Sequence, residues 1–231
     1  MHELYHFSGF QTIIMDFDST LIQCESLDML AELTLAERED KHERCAEIAH
    51  CTNAAMDGQM TFTESLQRRL PLLAAHINDM ERLVELLKMR LTPSLLRVLQ
   101  TRSAWFQANM RNIYVISGGF KEFIVPVLEP LGFLSTNIYA NEFLCDAEGN
   151  IIGANLQNPL AYENGKSTLV KTLNLPRPSC IIGDGFSDYQ LRQSGAVEYF
   201  YALVENVHRP TTVSLADKVL PNFEALFEHE V

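Results

Sequence analysis

An apolar, β-branched run that stops on two carboxylates sets the terms for this chain. Thr12-Ile13-Ile14-Met15 reads as a strand buried on both faces, and it ends in Asp16-Phe17-Asp18-Ser19-Thr20. Polar residues at the end of a buried parallel strand are where open α/β sheets hold their chemistry. In extended backbone, residues i and i+2 project to the same side, so Asp16 and Asp18 share a small volume. Two carboxylates that close repel each other unless a cation or a shared proton intervenes. The stretch asks for a metal, and the rest of the chain must bring the other ligand.

Two further apolar runs end in the same manner. Asn112 to Ile116 leads into Ser117-Gly118-Gly119, and Ser179 to Ile182 leads into Gly183-Asp184-Gly185-Phe186-Ser187-Asp188. Helical spacing predicts helices from Pro93 to about Asn109, from Lys121 to Leu131 and from Lys166 to Leu173. Asn141 to Leu156 alternates around Asp146-Ala147-Glu148-Gly149-Asn150, a hairpin signature. Val197 to Leu203 and Lys218 to Leu220 read as two more short strands. Strands alternating with helices predict an α/β fold, a doubly wound, Rossmann-like parallel sheet. Its carboxyl strand ends share one edge, so the three polar clusters can converge.

Residues from about Glu25 to Arg90 differ in character: Leu, Glu, Ala, Met and Arg dominate and apolar residues recur at helical spacing. Asp57-Gly58 interrupts them, and Thr61 with Glu64 three residues later reads as a new helix start. This predicts an inserted α-helical cap domain over 24–91, within a core formed by 1–23 and 92–231.

A formal net charge of −12 excludes a basic footprint of the kind nucleic acid requires, but leaves room for a local positive pocket that takes a small anion. No apolar run approaches the roughly 20 residues that span a bilayer, and residues 1–6 lack the basic-then-apolar pattern of a signal peptide. Five cysteines without a CxxC pair fit a reducing compartment, and the cytoplasm is expected. His42, Cys45, His50 and Cys51 match no closed zinc-site spacing; helix-face and core positions explain them, and Trp105-Phe106 reads as packing.

Asp16, Asp18, Ser117, Lys166, Asp184 and Asp188 form one chemical constellation. Asp184 can join Asp16 around Mg2+, a hard ion that prefers oxygen ligands. One carboxylate can attack phosphorus, the other can act as acid and then base. The Ser117 hydroxyl, with the N–H groups of Gly118 and Gly119, can hold phosphate oxygens, and Lys166 adds positive charge. Positioning and charge stabilisation supply most of the catalysis in phosphoryl transfer.

In order and spacing, Asp16-Phe17-Asp18-Ser19-Thr20, Ser117-Gly118-Gly119, Lys166 and Gly183 to Asp188 resemble the four motifs of the haloacid dehalogenase-like hydrolases. Glu25, the segment Phe62-Thr63-Glu64-Ser65-Leu66-Gln67-Arg68-Arg69 and Phe120 after Ser117-Gly118-Gly119 are similar to the phosphoserine phosphatases of that superfamily. The resemblance implies a Mg2+-dependent phosphomonoesterase acting on a small phosphorylated metabolite, O-phosphoserine foremost, and with it serine biosynthesis. Asp16 would be the nucleophile and Asp18 the general acid/base, with Ser117, Gly118 and Lys166 on the phosphate. Asp16, the Asp18 carbonyl and Asp184 would hold Mg2+, supported by Asp188. Glu25 would face the substrate ammonium and Arg69 its carboxylate, with Arg68 as competitor for that role, while Phe62 closes over the substrate. The alternatives are a phosphatase of another small metabolite and a non-catalytic binding protein on the same fold. Two departures stand out. Ser187 occupies a position where many relatives carry Asn or Thr, and the segment 199–209 lacks the small and basic residues usual after the fourth motif.

Overall fold

The computed structural model describes residues 9–227. The leader reading of residues 1–6 therefore lies outside them. Thr12–Met15 (β1) sits at the centre of a six-stranded parallel sheet, and its neighbours explain its composition. Ile13 pairs with Ile113 on one side and Cys180 on the other, so β1 has no solvent-facing edge. Both of its faces are covered as well. Ile13 and Met15 point into one apolar layer and Ile14 into the other, the period of two expected of a strand.

The chain then leaves the sheet for four helices, Ser26–Thr34 (α1), Lys41–Met56 (α2), Phe62–Arg69 (α3) and Asp79–Lys88 (α4). Gly58, with φ +74°, makes the turn between α2 and α3. The Thr61 hydroxyl then accepts from the N–H of Glu64, the cap its spacing implied. Exit and return run side by side: Gln23 N–H donates to the Arg90 carbonyl and Thr92 N–H to the Leu21 carbonyl. The insertion divides in its packing. Leu83, Val84 and Leu87 press α4 onto the helix that follows β2, within one apolar core shared with the sheet. Helices α2 and α3 instead lean over the polar strand ends.

Pro93–Thr101 (α5) and Ser103–Asn109 (α6) replace the single helix expected from Pro93 to Asn109. Arg102 leaves helical geometry (φ −115°, ψ 28°), and the break turns Trp105 and Phe106 onto Phe227, ring centroids 5.4 and 6.2 Å away. Tertiary packing overrides helical propensity there. Ile113–Phe120 (β2) runs on through Ser117-Gly118-Gly119, with a register shift against its neighbour between Ile116 and Phe120. Lys121–Leu128 (α7) stops before a short 3-10 turn, where Pro130 follows. Ile138–Asn141 (β3) is an edge strand that the sequence did not announce. Phe143–Cys145 (β4) and Ile151–Ala154 (β5) form the expected hairpin. Gly165–Leu173 (α8), Ser179–Gly183 (β6), Phe186–Gln193 (α9), Tyr199–Leu203 (β7), Pro210–Leu215 (α10) and Lys218–Leu220 (β8) complete the fold. The sheet order is β3-β2-β1-β6-β7-β8. The order reverses beside β1, which is where such sheets leave a crevice at their carboxyl ends.

Candidate active site

Asp16 stands one residue past β1, Ser117 near the end of β2 and Asp184 one residue past β6, so three adjacent parallel strands deliver them to one spot. Lys166, at the start of α8, joins them from above. Its ammonium lies 2.7 Å from Asp16 Oδ2 and 2.8 Å from Asp188 Oδ1, and all three side chains are buried. Burial works against the Lys166 charge, but Asp16 and Asp188 outweigh it and hold the group protonated beyond its ordinary range. Gly183 makes the approach of Asp188 feasible, because a Cβ there would sit 2.1 Å from Asp188 Oδ2.

Asp18 lines the same cavity as Asp16, although the chain has already left the strand and turns at Phe17, and its Oδ1 accepts the N–H of Ser26 at 2.8 Å. Burial, reinforced by Asp16, pushes its carboxyl up to about 7. Asp184 and Asp188 are likewise pushed up to about 7, first by burial and then by neighbouring acids, and Glu25 to about 8. The common causes are burial and, after it, an excess of carboxylates over cations in one small volume.

Oxygens of Asp16, Asp184 and Asp188 lie within 4.8 Å of one another. Three crowded, buried, hard oxygen donors, two of which (Asp184 and Asp188) have their protonation raised first by burial and then by neighbouring acids, fit a small divalent cation such as Mg2+. In the metal-free protein Asp18, Glu25, Asp184 and Asp188 bind protons at a higher pH than they would in the unfolded chain. Their contribution to stability is present below about pH 4 and is lost as pH rises through about 7 to 8. The melting temperature of the metal-free protein is therefore expected to fall by roughly 5–10 °C between about pH 5.5 and 8, at about 2–4 °C per kcal/mol for a chain of this size. Mg2+ should restore it far more at the higher pH, measured by calorimetry with and without chelator. A flat or rising metal-free profile would contradict this account of the acid cluster.

Over this floor lies a cavity of about 190 Å³, lined by Asp16, Asp18, Ser117, Gly118 and Lys166 below and by Glu25, Phe62 and Arg69 above. Phe62 rests directly on Gly118, where a Cβ would come 2.6 Å from the ring. Arg69 is buried; its guanidinium donates to the Thr52 hydroxyl at 3.2 Å and to the Ser65 carbonyl at 3.4 Å. Arg68 points away, paired with Glu47 on the outer surface. Of the two arginines, Arg69 is the one that lines the cavity. Glu25 accepts from the Ser19 hydroxyl at 2.7 Å. Ser187 also lines the cavity.

The segment 199–209 requires a correction. Arg209 is basic, 7% exposed and aimed into the site: Nε donates to Asp184 Oδ2 at 3.0 Å, and another nitrogen lies 3.8 Å from Glu25. Its other terminal nitrogen reaches Asn53 and Asp57 of the helical insertion. Asn206 places its amide within 3.2 Å of the carbonyls of Ser19, Thr20 and Ile22 and 2.7 Å from the Thr92 hydroxyl. The readable signal was topological. Residues that follow β7 emerge on the same edge as Asp16 and Asp184.

The family model for haloacid dehalogenase-like hydrolases matches residues 13–193. A phosphoserine phosphatase of Arabidopsis thaliana, described as chloroplastic, is 29% identical over 219 residues, which cover 94% of this chain and 70% of the relative. A crystal structure of a phosphoserine phosphohydrolase-like protein from Francisella tularensis superposes with a TM-score of 0.82 at 28% identity, over 95% of this chain and 99% of that one. A phosphoserine phosphatase structure described as a phospho-aspartyl intermediate analogue shares the fold, with a TM-score of 0.73 at 20% identity over 95% of this chain and 98% of that one.

Proposed function

The chain belongs to the haloacid dehalogenase-like hydrolases and is a phosphatase, and on that footing we propose that it hydrolyses a small amino-acid phosphate, O-phosphoserine foremost, through a phosphorylated Asp16. One observation carries this reading. The cavity that ends on Asp16 and Lys166 has both an acid, Glu25, and a buried arginine, Arg69, on its other wall. A phosphate held at the floor then meets partners for an ammonium and for a carboxylate, the latter matched by the guanidinium fork. At about 190 Å³ the space lies below the roughly 300–1,000 Å³ of drug-sized sites, which favours a small substrate.

In this scheme the Ser117 hydroxyl, the Gly118 N–H and Lys166 orient the phosphoryl oxygens toward Asp16. Asp16 attacks phosphorus, and the leaving serine oxygen takes a proton from Asp18. Water then attacks the phosphoaspartate, giving its proton to Asp18 and freeing Asp16 and phosphate. A carboxyl raised to about 7 suits both halves of that exchange. Asp16, Asp184 and Asp188, with the Asp18 carbonyl, would hold Mg2+, which when bound offsets negative charge on the transferring group. The helical insertion over 24–91 serves as the cap that closes the site to bulk water, with Phe62 as its inner face. An aqueous, reducing compartment, the cytoplasm in our proposal, fits five free thiols and the lack, among the described residues, of a helix long and apolar enough to cross a membrane.

Arg209, 3.8 Å from Glu25, supports a second reading, in which another small phosphate ester without an ammonium is the substrate. A panel of phosphomonoesters, with and without Mg2+, separates the two. Phosphoserine is expected to have the highest kcat/KM. Arg69→Ala should raise its KM by about 30-fold or more, the lower end of what losing a buried charge partner costs. Arg68→Ala, an exposed pair, should leave KM within about twofold. Preference for a sugar phosphate, or an unchanged KM in Arg69→Ala, would overturn the substrate assignment.

A further inference from the structure

Glu163 stands three residues before Lys166, and its carboxylate has two partners. One oxygen accepts the backbone N–H of Phe62 at 2.7 Å; the other accepts the side-chain amide of Gln190 at 3.0 Å. Phe62 is the first residue of α3, and its N–H is one of the donors that a helix start leaves without an internal partner. Thr61 satisfies the N–H of Glu64 from within the insertion. The N–H of Phe62 is satisfied from 101 residues away, across the mouth of the cavity. A carboxylate at that end of a helix is also favoured by the helix dipole. Gln190, in turn, belongs to α9, the helix that carries Asp188.

Among the described residues, this is the one hydrogen bond that joins α3 to the sheet and its flanking helices. The ring of Phe62 on Gly118 is the adjoining contact, and it is apolar and without direction. Helix α3 carries Phe62 at its first position and Arg69 at its last, so whatever fixes its start also fixes both residues over the site. Asp16, Ser117 and Lys166 are held by the sheet and by α8, and Asp18 by the N–H of Ser26 at the start of α1, so among the described residues none has a hydrogen bond to α3.

We propose that Glu163 is a positioning residue, a latch that keeps α3 closed over the cavity and sets substrate affinity while leaving the phosphoryl chemistry alone. It takes the cavity's role from the function proposed above, so its test includes a measurement made without substrate. In Glu163→Ala, hydrogen exchange of the amides at the start of α3 should quicken about tenfold or more, the scale for losing one bond to a charged acceptor, with β1 and β6 unchanged. KM for the best ester of the panel should rise about tenfold, while kcat falls no more than about twofold. Glu163→Gln keeps an acceptor oxygen at the same reach and should recover most of both effects. Unchanged exchange in Glu163→Ala, a loss in kcat at constant KM, or a glutamine variant as impaired as alanine would each overturn the latch. Faster exchange in a protein that prefers an ester other than an amino-acid phosphate supports the latch and overturns the substrate assignment instead.

Discussion

Asp16→Asn is expected to fold and to turn over no phosphate ester, with kcat lower by on the order of 10⁴-fold or more, as when an attacking group is removed from other enzymes. The amide keeps the size and the hydrogen-bonding reach of the carboxylate but cannot accept a phosphoryl group. Stability distinguishes this outcome from simple unfolding. Asp16 is one of the charges that raise Asp18, Asp184 and Asp188, so its neutralisation relieves repulsion among groups that are buried together. At about pH 8 without metal, the variant should therefore melt no lower than the wild type. Steady-state kinetics on the preferred ester, beside calorimetry on the same preparation, checks both halves. Activity within tenfold of the wild type would remove Asp16 from the role of nucleophile.

The second large effect belongs to Lys166. Its ammonium contacts Asp16 and Asp188 at 2.7 and 2.8 Å, with all three side chains buried. Lys166→Ala leaves two buried carboxylates without that partner, a loss of about 3–5 kcal/mol where both are ionised. Asp188, pushed up to about 7, can take up a proton as pH falls, so the destabilisation should shrink between about pH 8 and 5.5. Mg2+ should recover much of the stability at the higher pH, since a cation in the cluster supplies the missing charge. It should not recover the rate. A donor aimed at the transferring oxygens is absent, and kcat should stay down by about 10³-fold at saturating metal. Thermal unfolding at the two pH values and kcat at high Mg2+ measure this. A metal-free melting temperature unchanged at about pH 8 would show that Lys166 is not the counter-charge of the cluster.

Much of the frame was legible because buried strands constrain composition strongly. β1, β2 and β6 carry unbroken apolar runs that end in polar residues, and a parallel sheet puts such ends on one edge. The edge strand β3 was not legible, since Ile138-Tyr139-Ala140-Asn141 is too short for a period to register. The break at Arg102 escaped as well, because it answers to Phe227, a residue far away in sequence. Arg68 and Arg69 look alike in a list of residues. One step along a helix turns a side chain by about 100°, and Glu47 and Thr52 on α2 decide which arginine goes outward and which inward. Arg209 and Asn206 were missed for a different reason. Their segment has no periodicity and no motif, and their value comes only from where β7 stops. Glu163 is similar, an ordinary loop acid until the start of α3 is set beside it.

The amide of Asn206 has a consequence for how the chain comes to life. Asp16 and Asp18 are among the first residues of the described chain, yet the loop that holds them is braced at Ser19, Thr20 and Ile22 by a side chain 187 residues later than Ser19. β1 itself needs β6 as a neighbour before its second edge is paired. During synthesis the loop of Asp16 and Asp18 gains this brace only after almost all of the described chain has been made. Contacts of such long range slow folding, because chain closure must be completed before they can repay it. A ribosome-bound chain that stops short of Asn206 carries Asp16, Asp18 and all four motifs, without the brace on the loop that follows them.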